Sequence, residues 1–283
     1  MCTIGAVSNV NEKGERLGFL MKTIDGPPLE ILNGFFRDPN RNQAIFTSFM
    51  RQQGINIGMN QHRLAVTLSY SHYVDYKVKG REEVLKMEDD TRALANAEIL
   101  GKYKSVDEGI ELLKDFVPRH PHQVGGNHLL IDANGDIALL EQCEGNYKYR
   151  KFTDRGYCGR GNNSHWLIRD KQSYLVIPLD SLPREKAMEN FLKNVYENIP
   201  KGMNSEEIVR KAKSLLSQHS ESNDQIGGIC IHGLKEPGAR IFGDVSCNTL
   251  CAVILDIKEL IMHYSLGFPC SENWKALKLE LSN

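Results

Sequence analysis

The stretch between residues 128 and 141 constrains the fold more tightly than any other. Two β-rich runs, His128-Leu129-Leu130-Ile131-Asp132 and Ile137-Ala138-Leu139-Leu140-Glu141, are separated only by Ala133-Asn134-Gly135-Asp136. So short a connection cannot make a parallel crossover, and Asn-Gly supplies the positive φ angles of a tight turn, so the two runs pair antiparallel. The chain opens in the same way: residues 2–8 are β-rich, residues 9–15 polar and residues 16–22 β-rich again, which reads as strand, turn, strand. With closure near Glu12 and Lys13, pairing places Cys2 opposite residues 22–25, so Lys22 and Asp25 flank the start of the chain.

Further strands are expected at 64–70, entered through Gly58-Met59-Asn60-Gln61-His62, and at 226–232, 249–256 and 260–266, the last two joined by Ile257-Lys258-Glu259. Residues 157–166, rich in Gly and Asn, read as a strand ending in a loop. Helical spacing predicts helices over 88–103, over 106–116 with Ser105 as cap and Glu108 three residues on, and over 183–198. A fourth is predicted over 205–218, with Ser205 as cap and Ile208, Val209, Ala212, Leu215 and Leu216 on one face. Strands and helices in separate runs imply an α+β protein of antiparallel sheets with segregated helical layers. The 283 residues, with no low-complexity linker or internal repeat, fit one large domain or two intimate ones.

With 41% hydrophobic and 25% charged residues and a net charge of -1, the chain has no electrostatic reason to bind nucleic acid or an anionic membrane. The charged run at 77–86 is interleaved with apolar residues and reads as a solvated face. No stretch approaches the ~20 apolar residues of a membrane span, and the first residues lack a secretory signal, so a cytoplasmic protein is expected. The seven cysteines, at 2, 143, 158, 230, 247, 251 and 270, contain no C-x-x-C pair, which argues against a zinc site and a disulfide framework. Cys247 and Cys251, within or beside a strand, read as buried free thiols.

The chemistry is concentrated at Met1-Cys2-Thr3. An aminopeptidase trims an initiator Met before a small residue, and no signal or pro-segment is expected ahead of it, so the mature chain would begin with Cys2. One carbon then carries a thiol and an α-amine, whose ordinary pKa values of about 8.5 and about 8 let each exchange a proton with the other. That is the activated nucleophile of an N-terminal-nucleophile hydrolase. Competing readings are an incidental cysteine, a lipid anchor, for which no adjacent polybasic cluster is present, and a papain-like pair with His128, His165 or His232. The last is less economical, because the amine already supplies a base.

Further elements follow in order: Lys22-Thr23-Ile24-Asp25, Gly58-Met59-Asn60 leading to Leu64 and on to Ser69-Tyr70, Asp132 with Gly135 and Glu141, Gly161-Asn162-Asn163-Ser164-His165, and Pro183-Arg184-Glu185-Lys186-Ala187. In this order the chain resembles, from Cys2 to about Cys270, the cysteine branch of N-terminal-nucleophile (Ntn) amidohydrolases, which contains choloylglycine hydrolase, penicillin V acylase and isopenicillin N acyltransferase. The resemblance implies a four-layer αββα sandwich in a single domain over 1–283. It makes Cys2 the nucleophile, Asp25 the carboxylate that orients it, Asn163 (or its neighbour Asn162) the side-chain oxyanion donor and Arg184 a brace. Asp132, Gly135 and Glu141 are structural. Two positions depart from the pattern. Lys22 stands where the family has Arg, and an ammonium cannot reproduce the guanidinium fork. Ser69 stands where relatives carry an oxyanion Asn, and offers only a backbone N–H. Read alone, Asp25 also fits a turn before Gly26-Pro27, Asn162 and Asn163 also fit a chain reversal, and Arg184 also fits a surface position.

The implied activity is cleavage of a linear amide of a small acyl compound through a thioester, with no metal or organic cofactor. Acyl transfer to an amine and a catalytically silent, ligand-binding member are the alternatives. The implied partner is a small acyl amide, with no nucleic acid and no membrane, and a homo-oligomer is allowed because relatives oligomerise variably. Segments 54–80 and 115–126 are expected to shape the pocket.

Overall fold

The computed structural model describes residues 2–26, 31–36, 42–49, 53–71, 91–121, 125–167, 181–220, 227–233, 247–271 and 273–281. One sheet is a meander of β3 (Ile31–Phe36), β4 (Ala44–Phe49), β5 (Ile57–Asn60), β6 (Ala65–Tyr70), β7 (Gly126–Ile131), β8 (Ile137–Cys143) and β9 (Asn146–Phe152), in sequence order. The other runs β10-β1-β2-β11-β12-β13, from β1 (Ile4–Val10), β2 (Arg16–Gly26), β10 (Gly156–Arg160), β11 (Asn248–Asp256), β12 (Ile261–Leu266) and β13 (Trp274–Lys278). Neighbouring strands are antiparallel, as the hairpin patterns require.

Period-2 alternation splits each inner strand between two cores. Ile4, Ala6, Leu20, Ile24, Val253 and Leu255 meet Ile45, Ile57, Ala65, Leu129, Ile137 and Leu139 between the sheets. The residues between them point outward. Val7, Phe19, Met21, Ala252 and Ile254 pack on α3 (Ser181–Asn198) and α4 (Ser205–Leu216), while Val66, Leu130, Ala138 and Leu140 pack on α1 (Arg92–Lys102) and α2 (Val106–Arg119). Helices outside, sheets inside: this is the expected αββα sandwich. Among the described residues, no helix is long and apolar enough to cross a membrane.

The opening hairpin has the predicted register. Ile4 pairs with Lys22, and the Thr23 N–H donates to the Thr3 carbonyl at 2.9 Å, which carries Cys2 alongside Ile24 and Asp25. Ser105 and Glu108 form the predicted capping box on α2. Cys247 and Cys251 are buried and form no disulfide, in keeping with the reading from the sequence.

Four details differ from expectation. The 132–136 turn has a positive φ at Gly135 (82°) and not at Asn134, so it is a five-residue loop closed by Asp132 N–H to Asp136 C=O at 3.1 Å rather than a two-residue turn. The Asp132 carboxylate accepts the Asn134 and Asp136 N–H groups and the Val106 N–H of α2, an arrangement that takes over the role assigned to Asn. Asn204, not Ser205, caps α4, because its Oδ1 reaches the Glu207 N–H at 2.9 Å. Residues 227–233 are not a strand; the Ile229 and Cys230 N–H groups both turn onto the Gln218 carbonyl. Finally, α2 runs to Arg119, with Pro118 tolerated in its last turn, and the described part of the first helix starts at Arg92. Residues 72–80, 122–124 and 226, and the 77–86 charged run, lie outside the described residues.

Candidate active site

Cys2 is 1% exposed and precedes β1 at the edge of the inter-sheet core. Its backbone N–H donates to Asn162 Oδ1 at 2.9 Å. In the full-length chain that nitrogen is the Met1–Cys2 amide; with Met1 removed it is an α-amine. Asn162 is fixed from three sides: its Nδ2 donates to the Tyr70 carbonyl (2.8 Å), its backbone N–H to Ser181 Oγ (2.7 Å), and its Oδ1 also accepts Arg184 Nη2 (3.2 Å). The close approach to Ser181 requires glycine at 161, since a Cβ there would collide with the Ser181 hydroxyl and carbonyl.

Arg184, near the start of α3, is fully buried and gathers the chain start. Its Nη1 donates to Thr3 Oγ1 at 2.8 Å and lies 3.5 Å from Asp25 Oδ2. Thr23 and Thr249 hydroxyls donate to the two Asp25 oxygens at 3.1 and 2.8 Å. Burial pushes the Asp25 carboxyl above its ordinary pKa, while the positive chain terminus, Arg184 and the two hydroxyls favour its charged form. Of the two residues predicted to flank Cys2, Asp25 is thus joined to Arg184, Thr23 and Thr249 in one buried network.

The loop after β10 is held by two carboxylates. Glu141 accepts the His165 and Trp166 N–H groups at 2.8 and 2.7 Å, in keeping with its expected structural role. Glu185 accepts the Gly161 N–H (3.0 Å) and pairs with His165 Nε2 (2.8 Å). Burial opposes ionisation of Glu185, but His165, the Gly161 N–H and Arg160 outweigh it and hold its carboxyl below the usual range. Asn163 is 3% exposed; its backbone carbonyl accepts Asn127 Nδ2 at 3.1 Å, yet its own carboxamide has no hydrogen-bond partner among the described residues.

The two departures sit beside this network. Ser69 Oγ donates to the Gly161 carbonyl (3.0 Å) and accepts Asn127 Nδ2 (3.1 Å), so it supports the loop from below. Lys22 is fully buried and its ammonium donates to Asn56 Oδ1 and the Leu68 carbonyl, tying β2 to β6 across the sandwich. The histidines weighed as a papain-like base are engaged elsewhere: His165 by Glu185, His128 Nδ1 by Asn96 Oδ1 (3.0 Å), and His232 between the sulfurs of Cys230 and Cys270.

The family model described as acyl-coenzyme A:6-aminopenicillanic acid acyl-transferase matches residues 10–269. The chain belongs to this family. Its fold is also that of solved Ntn hydrolases. A cysteine-to-alanine mutant of conjugated bile acid hydrolase from Clostridium perfringens superposes with a TM-score of 0.57 at 13% identity, covering 99% of this chain and 92% of that one. Penicillin V acylase from Agrobacterium tumefaciens gives 0.51 at 15% identity over 93% and 82% of the two chains. The Caenorhabditis elegans ortholog of N-acylethanolamine-hydrolyzing acid amidase gives 0.55 at 10% identity over 90% and 92%. No curated protein sequence matches the chain. The family model describes an acyl-transferase, and the solved structures that share the fold include a bile acid hydrolase and a penicillin acylase.

Within this acyl-transferase family member, several residues of the network carry no sequence signal of their own. Thr249 reaches Asp25 because β11 pairs with β2 in a register that puts the two residues opposite one another. Arg92 donates to the Gly125 carbonyl (2.8 Å) and lies 4.1 Å above the Tyr70 ring, bracing the residue whose carbonyl holds Asn162. The contact of a buried Arg in a helix with Tyr70 is visible only once α1 is laid on its sheet.

Proposed function

We propose that this protein is an N-terminal-cysteine amidohydrolase that cleaves a linear amide of a small acyl compound through a thioester on Cys2. Removal of Met1 frees the α-amine, which takes the thiol proton as the sulfur attacks the amide carbonyl. The tetrahedral oxyanion is stabilised by Asn163 Nδ2 and a backbone N–H. The carbon–nitrogen bond then breaks, and the ammonium returns its proton to the leaving amine. Water, deprotonated by the regenerated amine, attacks the thioester and releases the carboxylic acid. Asn162 Oδ1 and the Asp25–Arg184 pair orient the amine; Lys22 and Ser69 act as positioning residues. The observation that carries this reading is the 2.9 Å bond from the Cys2 nitrogen to Asn162, anchored by an arginine that also meets Asp25.

The family's description as an acyl-transferase favours a second reading of the same acyl-enzyme, in which an amine replaces water as acceptor. A panel of N-acyl amino acids and lactams, assayed with and without added amine, separates the two. Release of free acid in both arms supports hydrolysis, whereas a new amide formed only with amine supports transfer. Intact mass of the protein should show Met1 absent and, under rapid quench, an acyl adduct on Cys2. Retention of Met1, or no turnover together with no labelling of Cys2 by a thiol-directed probe, would leave a silent ligand-binding member.

The Asn163 assignment has its own test. A buried carboxamide without partners costs about 1–3 kcal/mol of folding stability, and its persistence calls for a use. Asn163→Ala should lower kcat by roughly 10²–10³-fold, the usual effect of losing one oxyanion donor, with KM little changed. Because no internal hydrogen bond is lost and the penalty of the unpaired carboxamide is removed, the urea midpoint should not fall below wild type. An Asn163→Ala enzyme with full kcat would move the oxyanion site elsewhere.

A further inference from the structure

Three segments converge beside the site without entering the mechanism. The residues after α4 bring His219, the 227–233 segment brings Cys230 and His232, and a turn at Pro269–Ser271 brings Cys270. The four ligand atoms lie within 4.8 Å of one another. His232 Nε2 is 3.4 Å from Cys230 Sγ and 3.3 Å from Cys270 Sγ. With zinc–sulfur and zinc–nitrogen bonds of about 2.3 and about 2.05 Å, a tetrahedral site has a sulfur–nitrogen edge of about 3.6 Å. Both measured edges fall within about 0.3 Å of that value. The rest of the set needs only side-chain adjustment of about 1 Å, and His219 is exposed and able to swing.

The imidazole at the centre is oriented before any ion arrives. His232 stacks on Phe268 with ring centroids 3.7 Å apart and 12° between planes, and meets His219 edge-on at 4.9 Å. The backbones that carry the ligands are also tied together. Ile229 and Cys230 N–H groups donate to the Gln218 carbonyl, and Ser217 Oγ donates to the Pro269 carbonyl at 2.9 Å.

We propose that His219, Cys230, His232 and Cys270 form a closed, tetrahedral zinc site that clamps the 227–233 segment behind the Asp25 network. Two thiolates with two imidazoles select zinc among the common divalent ions, and four protein ligands leave no open position, so the role is structural. The clamp reaches the active site through Thr249. Ile231, between the two ligands of the segment, donates to Thr249 Oγ1 at 2.8 Å, and that hydroxyl donates to Asp25. Linear spacing conceals the site because its ligands come from separate segments and include no C-x-x-C pair. On binding, each thiol loses a proton to solvent and each sulfur donates a lone pair, so no redox partner is involved.

The test uses the full-length protein in a Cys2→Ala background, which removes the proposed nucleophile as a rival thiol ligand and makes the outcome independent of catalysis. After chelator treatment under reducing conditions, titration with zinc alone should give one ion per chain and raise the thermal midpoint. Cobalt alone should give thiolate-to-metal charge-transfer absorption and visible bands of tetrahedral intensity. His219→Ala, at an exposed position, should weaken zinc binding by at least roughly 100-fold, beyond the loss typical of an outer-shell partner, and Cys270→Ser should abolish the charge-transfer pattern of a two-thiolate site. Metal uptake unchanged in both variants would overturn the proposal. So would failure of the folded, reduced protein to bind zinc, or peptide mapping that finds a Cys230–Cys270 disulfide in protein purified under reducing conditions.

Discussion

Cys2→Ala should lower amide turnover by on the order of 10⁵–10⁶-fold while the protein remains folded, the scale expected when a covalent nucleophile is removed from an acyl-transfer site. The substitution isolates the sulfur. Alanine is still small enough for an aminopeptidase to remove Met1, so the α-amine forms as in the wild type. The nitrogen that bonds Asn162 at 2.9 Å is a backbone atom and survives the change. Only one buried heavy atom is lost, which costs about 1 kcal/mol. Oxyanion donors and substrate binding remain, and these alone sustain a residual rate well above that in water. Steady-state turnover, urea denaturation and intact mass together make the check: turnover collapses, the midpoint moves little and no acyl adduct accumulates. A Cys2→Ala protein within tenfold of wild type would remove the thioester from the mechanism.

How much of this was legible in the sequence depended on how local each signal is. The opening hairpin was readable because its register follows from a single turn, and that register alone brought Asp25 to the start of the chain. Strand β3 was not, because Asn33-Gly34 inside it resembles a turn dipeptide. It is extended because the Phe46 ring of β4 packs where a Gly34 side chain would stand, and because Asn33 accepts the Thr47 hydroxyl at 2.6 Å. Strand β9 hides for another reason. It is an edge strand whose Lys148, Arg150 and Lys151 protect it from further pairing and leave no apolar run. The apolar residues of 229–231 have the opposite character. They look like a strand and are buried like one, but Gln218 and Thr249 satisfy their backbone in place of a ladder.

The site divides along the same line. Asn162, Asn163 and Arg184 are singled out by resemblance to an ordered set of motifs, and the structure gives each a distinct environment: a carboxamide on the Cys2 nitrogen, a carboxamide without hydrogen-bond partners among the described residues, and a buried guanidinium. Thr249 and the four clustered His and Cys residues could not be found that way. The Thr249–Asp25 contact spans 224 positions and exists only after β11 has paired with β2, and the His and Cys cluster gathers ligands from three separate segments.

Arg184→Met should be the most destabilising single change in the network, costing about 3–5 kcal/mol at neutral pH, because it leaves the Asp25 carboxylate buried without the guanidinium that pairs with it. Both side chains of the pair are fully buried, so solvent does not screen the loss. The pH dependence follows from the direction of the Asp25 shift. Burial raises its pKa in the folded protein, so the folded state holds that proton more tightly than the unfolded chain, and this carboxyl's contribution to stability falls as pH rises from the ordinary carboxylate value through the raised one. Without Arg184 the shift grows, and the deficit relative to wild type is largest at neutral pH and shrinks as acid protonates Asp25. Urea midpoints at several pH values measure this slope directly. Asp25→Asn in the Arg184→Met background removes the stranded charge, so the double variant should recover much of the lost stability and lose the added pH slope. Activity should not return, since neither the carboxylate nor the guanidinium is left to orient the Cys2 amine. A single variant as stable as wild type across that range would mean that Asp25 is already neutral in the folded protein, and would remove the ion pair from the proposed mechanism.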